Sequence, residues 1–570
     1  MNIPIESTGR YAILRQLEAD GITQMFGNPG TVEQGFLDAL KDFPQIQYRL
    51  TLQESIAVLC ADGYARATQK PAVVQLHSSP GIGNAVGALY QAKRGHAPLV
   101  VIAGDAGLRY MNMDAQMSAD LVAIMEPVTK YATMALEPRS LLRTLRRAIK
   151  IAATPPMGPV YVCLPADILD AYNDEPVFPA CIPTTCTRPN DDLIQQAAMQ
   201  LIDGMHPAIF FGNGVAWSDA GDVLLQVAEQ LGAEVWGADT GDQSLDNSHP
   251  CYQGLTGHMF GEQSLPITQK ADRVLIVGTY MLPEVFPELG EIFDPEANVV
   301  HFDNNSYEIA KNHRVDLGVV CDPKNTLQAL SIELSRQMDD NSKQAARQRV
   351  IAMAKNREES ETKQAAADHA HLDQEKATME AFVTELAQQL PDDAIIFDEA
   401  LTNSPTLTRA IAPQPGKYFS TRGGSLGVGI PGAIGAKLAH PNRVVVGFTG
   451  DGGSMYTIQA LYTAAKYNID TTFVICHNAR YKLLDLNISH YWETQGVEKH
   501  DFPSPFDLST PKLGFVDMAK GMGVPGLRLE FTEQIPDAIH QALSTPGPFL
   551  IDLMLIEQNT DLTPGCKCGQ

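Results

Sequence analysis

"VVVGFTGDGGSMYTIQALYTAAK" (Val444–Lys466) passes from a β-branched apolar run, through a glycine-rich loop holding one acid, Asp451, into residues spaced like a helix face. The apolar run reads as a buried strand. Ile458, Leu461, Tyr462 and Ala465 recur at helical spacing and predict a helix starting near Met455. Shifted by 372 positions, the chain matches itself without a gap. Val73, Val74, Leu76, Gly81, Ala88, Leu89, Tyr90 and Ala92 fall on Val445, Val446, Phe448, Gly453, Ala460, Leu461, Tyr462 and Ala464. The next apolar runs, "LVVIAG" (99–104) and "TTFVIC" (471–476), continue the pairing. Chance coincidence of small apolar residues is the competing explanation. The gap-free register favours two copies of one strand–loop–helix–strand unit.

Between and around these copies, short β-branched runs alternate with amphipathic stretches, the pattern of parallel sheets with helical crossovers. "AVVQL" (72–76), "LVVIAG" (99–104) and "VYVCLP" (160–165) are strands of a first unit, and "PVFPACIPTTCTRPN" (176–190) reads as a linker. "PAIFFGNG" (207–214), "DRVLIVG" (272–278) and "ANVVHFD" (297–303) form a second. The predicted fold class is α/β: three consecutive doubly wound domains with mainly parallel sheets, the first and third sharing one fold and the middle one Rossmann-like. The expected divisions are residues 1–178, 190–341, a solvated connector helix over 342–376, 377–558, and a flexible tail over 559–570.

A chain of 570 residues is too long for one core and implies about three to four domains. Its 67 acidic against 42 basic residues, a formal charge of −25, repel a phosphate backbone, so nucleic acid is not an expected partner. The N-terminal residues lack the basic start and apolar run of a signal peptide, and no apolar stretch is long enough to span a bilayer. A cytoplasmic protein with reduced thiols fits the nine scattered cysteines. Cys566 and Cys568 form a single CxC, too few ligands for a tetrahedral metal site.

The acid in the glycine loop is the chemical signal. Gly450, Gly452 and Gly453 let backbone N–H groups approach an anion, and the following helix N-terminus adds partial positive charge. A carboxylate there repels a phosphate unless a cation lies between them. Asp451 therefore reads as a ligand of a hard cation, Mg²⁺, that also holds a diphosphate. Asn478, 27 positions later in "ICHNARY" (475–481), brings a neutral oxygen to the same sheet edge. Taken singly, Asp451 reads as a helix cap and Asn478 as a turn residue. Together they point to a metal–diphosphate site.

GDG with an asparagine at this spacing resembles the thiamine-diphosphate (ThDP) motif of the 2-oxo acid decarboxylase/carboligase superfamily. The phrases "FGNPGT" (26–31), "LHSSPGIGNAVGAL" (76–89) and "GPVYVCLPAD" (158–167) most resemble the benzoylformate decarboxylase branch. The resemblance covers nearly the whole chain. It implies that the first domain binds the cofactor's pyrimidine, the third its diphosphate, and that both carry the ThDP-binding fold. It also implies a homodimer or homotetramer with active sites between chains, acting on a small 2-oxo acid.

Carried onto this chain, the resemblance makes Glu54 of "LTLQESIAV" the acid that hydrogen-bonds the aminopyrimidine; without it, Glu54 reads as a surface acid on an amphipathic helix. It places Pro29, Gly30, Asn84, Thr402, Gly424, Leu426, Gly452, Gly453 and Tyr481 against the cofactor, with Leu426 under its bent form. The metal ligands are Asp451, the Asn478 side chain and the Arg480 carbonyl. His77 matches a histidine beside the reacting carbon, and Thr31 stands where that branch has a serine. Leu401 replaces a hydroxyl residue beside Thr402. A second histidine expected in the middle domain has no counterpart in "MLPEVFPELG" (281–290), and His258 is a neighbouring candidate. Lys482 and Asn487 stand where the branch has a small residue and an aromatic, which raises the expectation of a more polar or anionic substrate. "FFGNGVAW" (210–217) hints at a dinucleotide loop, but Trp217 takes the third glycine's place, so FAD is not expected. The alternatives carried forward are a carboligase of acetolactate-synthase type and, behind it, a FAD-containing or non-catalytic relative.

Overall fold

The computed structural model describes residues 4–239, 241–372 and 374–555. Cys566, Cys568 and the tail lie outside them. Three six-stranded sheets follow one another, and every described pair of neighbouring strands within them is parallel. The first holds β1 (Gln24–Gly27), β2 (Gln47–Leu50), β3 (Ala72–His77), β4 (Leu99–Asp105), β5 (Tyr131–Met134) and β6 (Val160–Pro165), in the order β2-β1-β3-β4-β6-β5. The third holds β13 (Ile395–Glu399), β14 (Tyr418–Ser420), β15 (Val445–Gly450), β16 (Thr472–His477), β17 (Gly526–Leu529) and β18 (Phe549–Met554), in the equivalent order β14-β13-β15-β16-β18-β17. β3, β4, β15 and β16 are buried on both faces, which is why each is written as a nearly unbroken apolar run.

The middle sheet comprises β7 (Pro207–Gly212), β8 (Glu234–Asp239), β9 (Tyr252–Leu255), β10 (Arg273–Val277), β11 (Asn298–Asp303) and β12 (Leu317–Val320). Its order, β12-β11-β10-β7-β8-β9, reverses direction between β10 and β7, as in doubly wound nucleotide-binding sheets. The 30-residue helix Asp340–His369 follows this domain, with Ala346 and Met353 its buried residues.

The offset of 372 holds in space. It maps β1, β3 and β4 onto β13, β15 and β16 and β2 onto a segment overlapping β14, and it relates the helices Glu54–Thr68 and Gly429–Ala439, which pack against each other. A Cβ on Gly63 would meet the Gly432 carbonyl oxygen at 2.2 Å, and one on Gly435 would meet that of Cys60 at 2.1 Å. Under the offset these two contacts exchange places. So do two hydrogen bonds: Thr463 Oγ1 to the Leu50 carbonyl (2.9 Å), and Arg422 N to Gln91 Oε1 (2.9 Å). The first and third domains are thus related by a pseudo-twofold within the chain, and their cores merge into one apolar cluster.

One local expectation changes. The helix after the glycine loop starts at Asp451, runs only to Ser454, and resumes at Ala460 after a stretch of turns. Thr457 Oγ1 donates to the Gly427 carbonyl (2.6 Å), which draws the chain off the helical path toward the neighbouring loop.

Candidate cofactor site

The functional candidates gather at the C-terminal edges of adjacent strands. In the first domain, Pro29, Gly30 and Thr31 follow β1, Glu54 follows β2, and His77 ends β3. Glu54 is buried and starts its helix. Its two carboxylate oxygens accept from Asn28 Nδ2 (3.0 Å) and Asn84 Nδ2 (2.9 Å), so the side chain is held in one place by two neutral amides. His77 Nδ1 lies 2.8 Å from Glu33 Oε2, while Glu33 Oε1 accepts from Gly104 N (2.7 Å). Burial pushes the Glu33 carboxyl above the ordinary carboxylate range, and the imidazole beside it pulls it back. Gly30 abuts the His77 ring: a Cβ there would sit 1.9 Å from His77 Cγ. Thr31 and Asn84 are exposed on the same rim.

In the third domain, Thr402 follows β13, Gly424 and Leu426 follow β14, Asp451 follows β15, and Asn478 follows β16. Asp451 is buried; its oxygens accept from Gly452 N (2.7 Å) and Ala479 N (2.6 Å). Burial raises its pKa, and those backbone N–H groups together with His477 only partly offset it. The neighbouring Arg480 guanidinium does not neutralise it, being held by both oxygens of buried Asp485 (2.8 and 2.9 Å). A Cβ on Gly452 would lie 2.3 Å from the Tyr481 ring, and one on Gly453 2.7 Å from Glu399 Oε1, whereas Gly450 and Gly424 face open space. Asn478, at the end of the neighbouring strand, accepts from Arg480 N through Oδ1 (3.0 Å); with the buried Asp451 carboxylate and the open glycines it makes an oxygen donor set of the kind that fits Mg²⁺ and a diphosphate.

Beneath this loop lies an acid that the sequence did not single out. Glu399, at the end of β13, accepts from Gly427 N (2.5 Å), Gly429 N (2.6 Å) and Thr449 Oγ1 (3.2 Å), and burial pushes its pKa up to about 7. It ties the segment carrying Leu426 to the segment carrying Asp451.

Tyr481 leads into the helix Lys482–Gln495. One wall of a cavity of about 690 Å³ is this helix, through Leu484, Asn487, Ile488 and Tyr491; the other is the middle-domain segments Met259–Glu262 and Val285–Glu288. Asn487 lines the cavity. Lys482 and His258 are outside its lining, although the His258 carbonyl accepts from Val285 N (3.2 Å) and helps join the two segments.

Three family models match in sequence order: the N-terminal binding domain of thiamine pyrophosphate enzymes over residues 7–124, the central domain over 194–330, and the C-terminal binding domain over 404–553. The chain belongs to the thiamine pyrophosphate enzyme family. Benzoylformate decarboxylase of Pseudomonas aeruginosa is 30% identical over 559 residues, covering 95% of this chain and 97% of that protein. The acetolactate synthase large subunit of Lactococcus lactis is 27% identical, covering 99% and 95%. A Rhodococcus jostii ThDP-dependent 4-hydroxybenzoylformate decarboxylase has a similar structure, with a TM-score of 0.81 at 25% identity, covering 96% of this chain and 99% of that one.

In this thiamine pyrophosphate enzyme the two binding domains are the two halves related by the offset of 372. In the middle domain, Gly214 N donates to the Gly278 carbonyl (3.0 Å), and the Trp217 ring lies 4.3 Å from that of His96, centroid to centroid. Among the described residues no helix is long and apolar enough to cross a membrane. Sequence reasoning missed Asn28, Glu33, Glu399 and the cavity. Only Asn28 carried a visible signal, since it lies within "FGNPGT".

Proposed function

We propose that this enzyme decarboxylates a 2-oxo acid with an apolar acyl group, giving an aldehyde and CO₂, with ThDP and Mg²⁺ bound between the first domain of one chain and the third of another in a homodimer or homotetramer. The observation that carries the reading is the Glu33–His77 pair, a half-buried imidazole on a buried carboxyl, set on the same rim as Glu54, because aldehyde formation ends in delivery of a proton. When bound, ThDP supplies the carbon nucleophile and the electron sink for loss of CO₂.

The chain's residues do the rest. Asp451, Asn478 and the Arg480 carbonyl hold Mg²⁺, and the N–H groups around Gly452 and Gly453 hold the diphosphate. Leu426, Gly424, Thr402 and Tyr481 shape the cofactor's seat, and Asn84, Gly30 and Pro29 bound its far end. Glu54, fixed by Asn28 and Asn84, holds a proton for the aminopyrimidine. His77, oriented by Glu33, moves a proton at the substrate, and Thr31 positions its carboxylate. Phe260, Phe286, Leu484 and Ile488 favour an apolar acyl group. Lys482, outside the lining, removes the main ground for an anionic one.

A carboligase reading is kept by the acetolactate synthase relative, whose similarity is nearly equal to that of the decarboxylase. Incubating the full chain with ThDP, Mg²⁺ and aromatic, branched and acidic 2-oxo acids separates these readings. CO₂ with an aldehyde from the aromatic or branched acids supports decarboxylation, and an acetohydroxy acid from pyruvate supports carboligation. No turnover of any acid would overturn both.

A further inference from the structure

The cavity beside the cradle holds an acid–base pair. Its walls are largely apolar or aromatic, and among the described lining residues it contains a single imidazole, His490, on the third-domain helix. The ring lies 4.2 Å from Phe260, centroid to centroid, and its Nε2 is 3.1 Å from Glu262 Oε1. Phe260 in turn stacks on Phe286 (5.4 Å, 10° between planes). Backbone bonds from Phe286 N to the Met259 carbonyl (2.8 Å) and from Gly261 N to the Phe286 carbonyl (2.9 Å) make the two middle-domain segments one lip. The imidazole is therefore set against a built surface, and Val285–Glu288, from the stretch in which no histidine was found, belongs to the same wall.

One helix joins the cavity to the glycine loop. Tyr481 fills the space a Gly452 side chain would need, and Leu484 and Asn487, about one and two helical turns farther on, line the cavity. We propose that His490, oriented by Glu262, is a second proton-transfer residue of the reaction, acting on the acyl group held in this cavity; the inference rests on the 2-oxo acid reading above. A carboxylate beside Nε2 favours the proton on that nitrogen and leaves Nδ1 to exchange one with the ligand. A proton given to the product leaves His490 neutral, and solvent at the cavity mouth restores it; no electrons change hands. The other charged or titratable groups facing it are Glu288 on the lip and Tyr491 on its own helix.

The competing role is a clasp between domains, and His490→Gln separates the two, since glutamine can keep a polar contact with Glu262 but cannot carry the proton. In the ThDP–Mg²⁺ holoenzyme, His490→Gln and His490→Ala are expected to lose about 100-fold or more in kcat, with ThDP affinity unchanged by calorimetry. Added imidazole is expected to restore part of the alanine variant's rate. Full turnover in His490→Gln overturns the proposal. Independently of turnover, 2-hydroxy-2-phenylacetate added to the cofactor-free, histidine-labelled protein is expected to shift the NMR signal that disappears in His490→Gln; an unmoved signal overturns it. If the wild type turns over no 2-oxo acid, the functional reading fails first, and the NMR titration still decides whether this imidazole faces an acyl ligand.

Discussion

Replacing Gly30 by alanine tests the proton-transfer edge of the first domain with one methyl group. Gly30 does not need positive φ, so its backbone tolerates alanine; the obstacle is the ring opposite. The new Cβ would sit 1.9 Å from His77 Cγ and 2.1 Å from Nδ1. Carbon atoms in contact rest about 3.5–4.0 Å apart, so the ring must withdraw by roughly 1.5 Å. That displacement breaks its 2.8 Å contact with Glu33. Losing a hydrogen bond to a charged group costs about 1.5–3 kcal/mol, which for a domain of this size lowers its melting transition by roughly 3–12 °C.

The decisive measurement is a double-mutant cycle by scanning calorimetry on the cofactor-free protein. Once His77→Ala has removed the ring, Gly30→Ala should shift the transition by less than about 1 °C, because nothing is left to displace. In the holoenzyme, Gly30→Ala and His77→Ala should each reduce turnover about 100-fold, and the double variant should be little worse than either. If Gly30→Ala costs the same stability with and without the ring, then Gly30 is not what seats His77, and the account of this edge is wrong.

Three further tests address the third domain. Asp451→Asn keeps an acceptor for only one of Gly452 N and Ala479 N, sets an amide NH₂ against the other, and removes the charge; titration calorimetry with Mg²⁺ should show ThDP binding weakened about 100-fold or more, and unchanged binding would exclude Asp451 as a metal ligand. Gly452→Ala drives a methyl into the Tyr481 ring, so the same titration should show at least about tenfold weaker binding, partly recovered in Gly452→Ala/Tyr481→Ala. Glu399, raised from an ordinary 4.5 to about 7 by burial, stabilises the fold in full below pH 4.5 and loses that contribution as pH rises through 7, a change of roughly 3 kcal/mol. Melting temperatures at pH 5 and pH 8 should therefore differ less in Glu399→Gln than in wild type, and equal slopes would refute the assignment.

The frame was legible because parallel strands buried on both faces are written as apolar runs, and because the two halves keep a common register through β4 and β16. The loops that follow those strands were legible too, since Gly450–Gly453 and Asn478 combine residue types that few structural roles require together. Glu33 was not. It has no periodic pattern, and its burial is created by Gly104, 71 positions away. Glu399 is hidden for the same reason, its partners Gly427, Gly429 and Thr449 arriving from two other segments. The cavity joins residues near 260, 286 and 488, a proximity that no local pattern encodes. The interruption between Ser454 and Ala460 was missed because helical spacing reports which residues face the core, and Ile458 does so from a turn as well as from a helix.

The pseudo-twofold explains why one fold is used twice. Under the offset of 372, His77 corresponds to Thr449, Ser79 to Asp451, Glu54 to Leu426, and Gly27 to Glu399. The residue at position 77 or 449 reaches a buried glutamate of its own half in both cases, Glu33 in one and Glu399 in the other. Around that shared arrangement the two edges have diverged into opposite electrostatic tasks. A divalent cation beside Asp451 would also attract Glu54 if both stood on one edge, and a carboxylate bound to metal cannot exchange a proton with a heterocycle. On the proposed assignment, placing the cation site on one copy and the proton-handling acids on the other would keep each carboxylate in the state its task requires. Gly63, Gly432 and Gly435 let the two copies within one chain approach closely, and in the proposed oligomer a single ligand would span the first-domain edge of one chain and the third-domain edge of another.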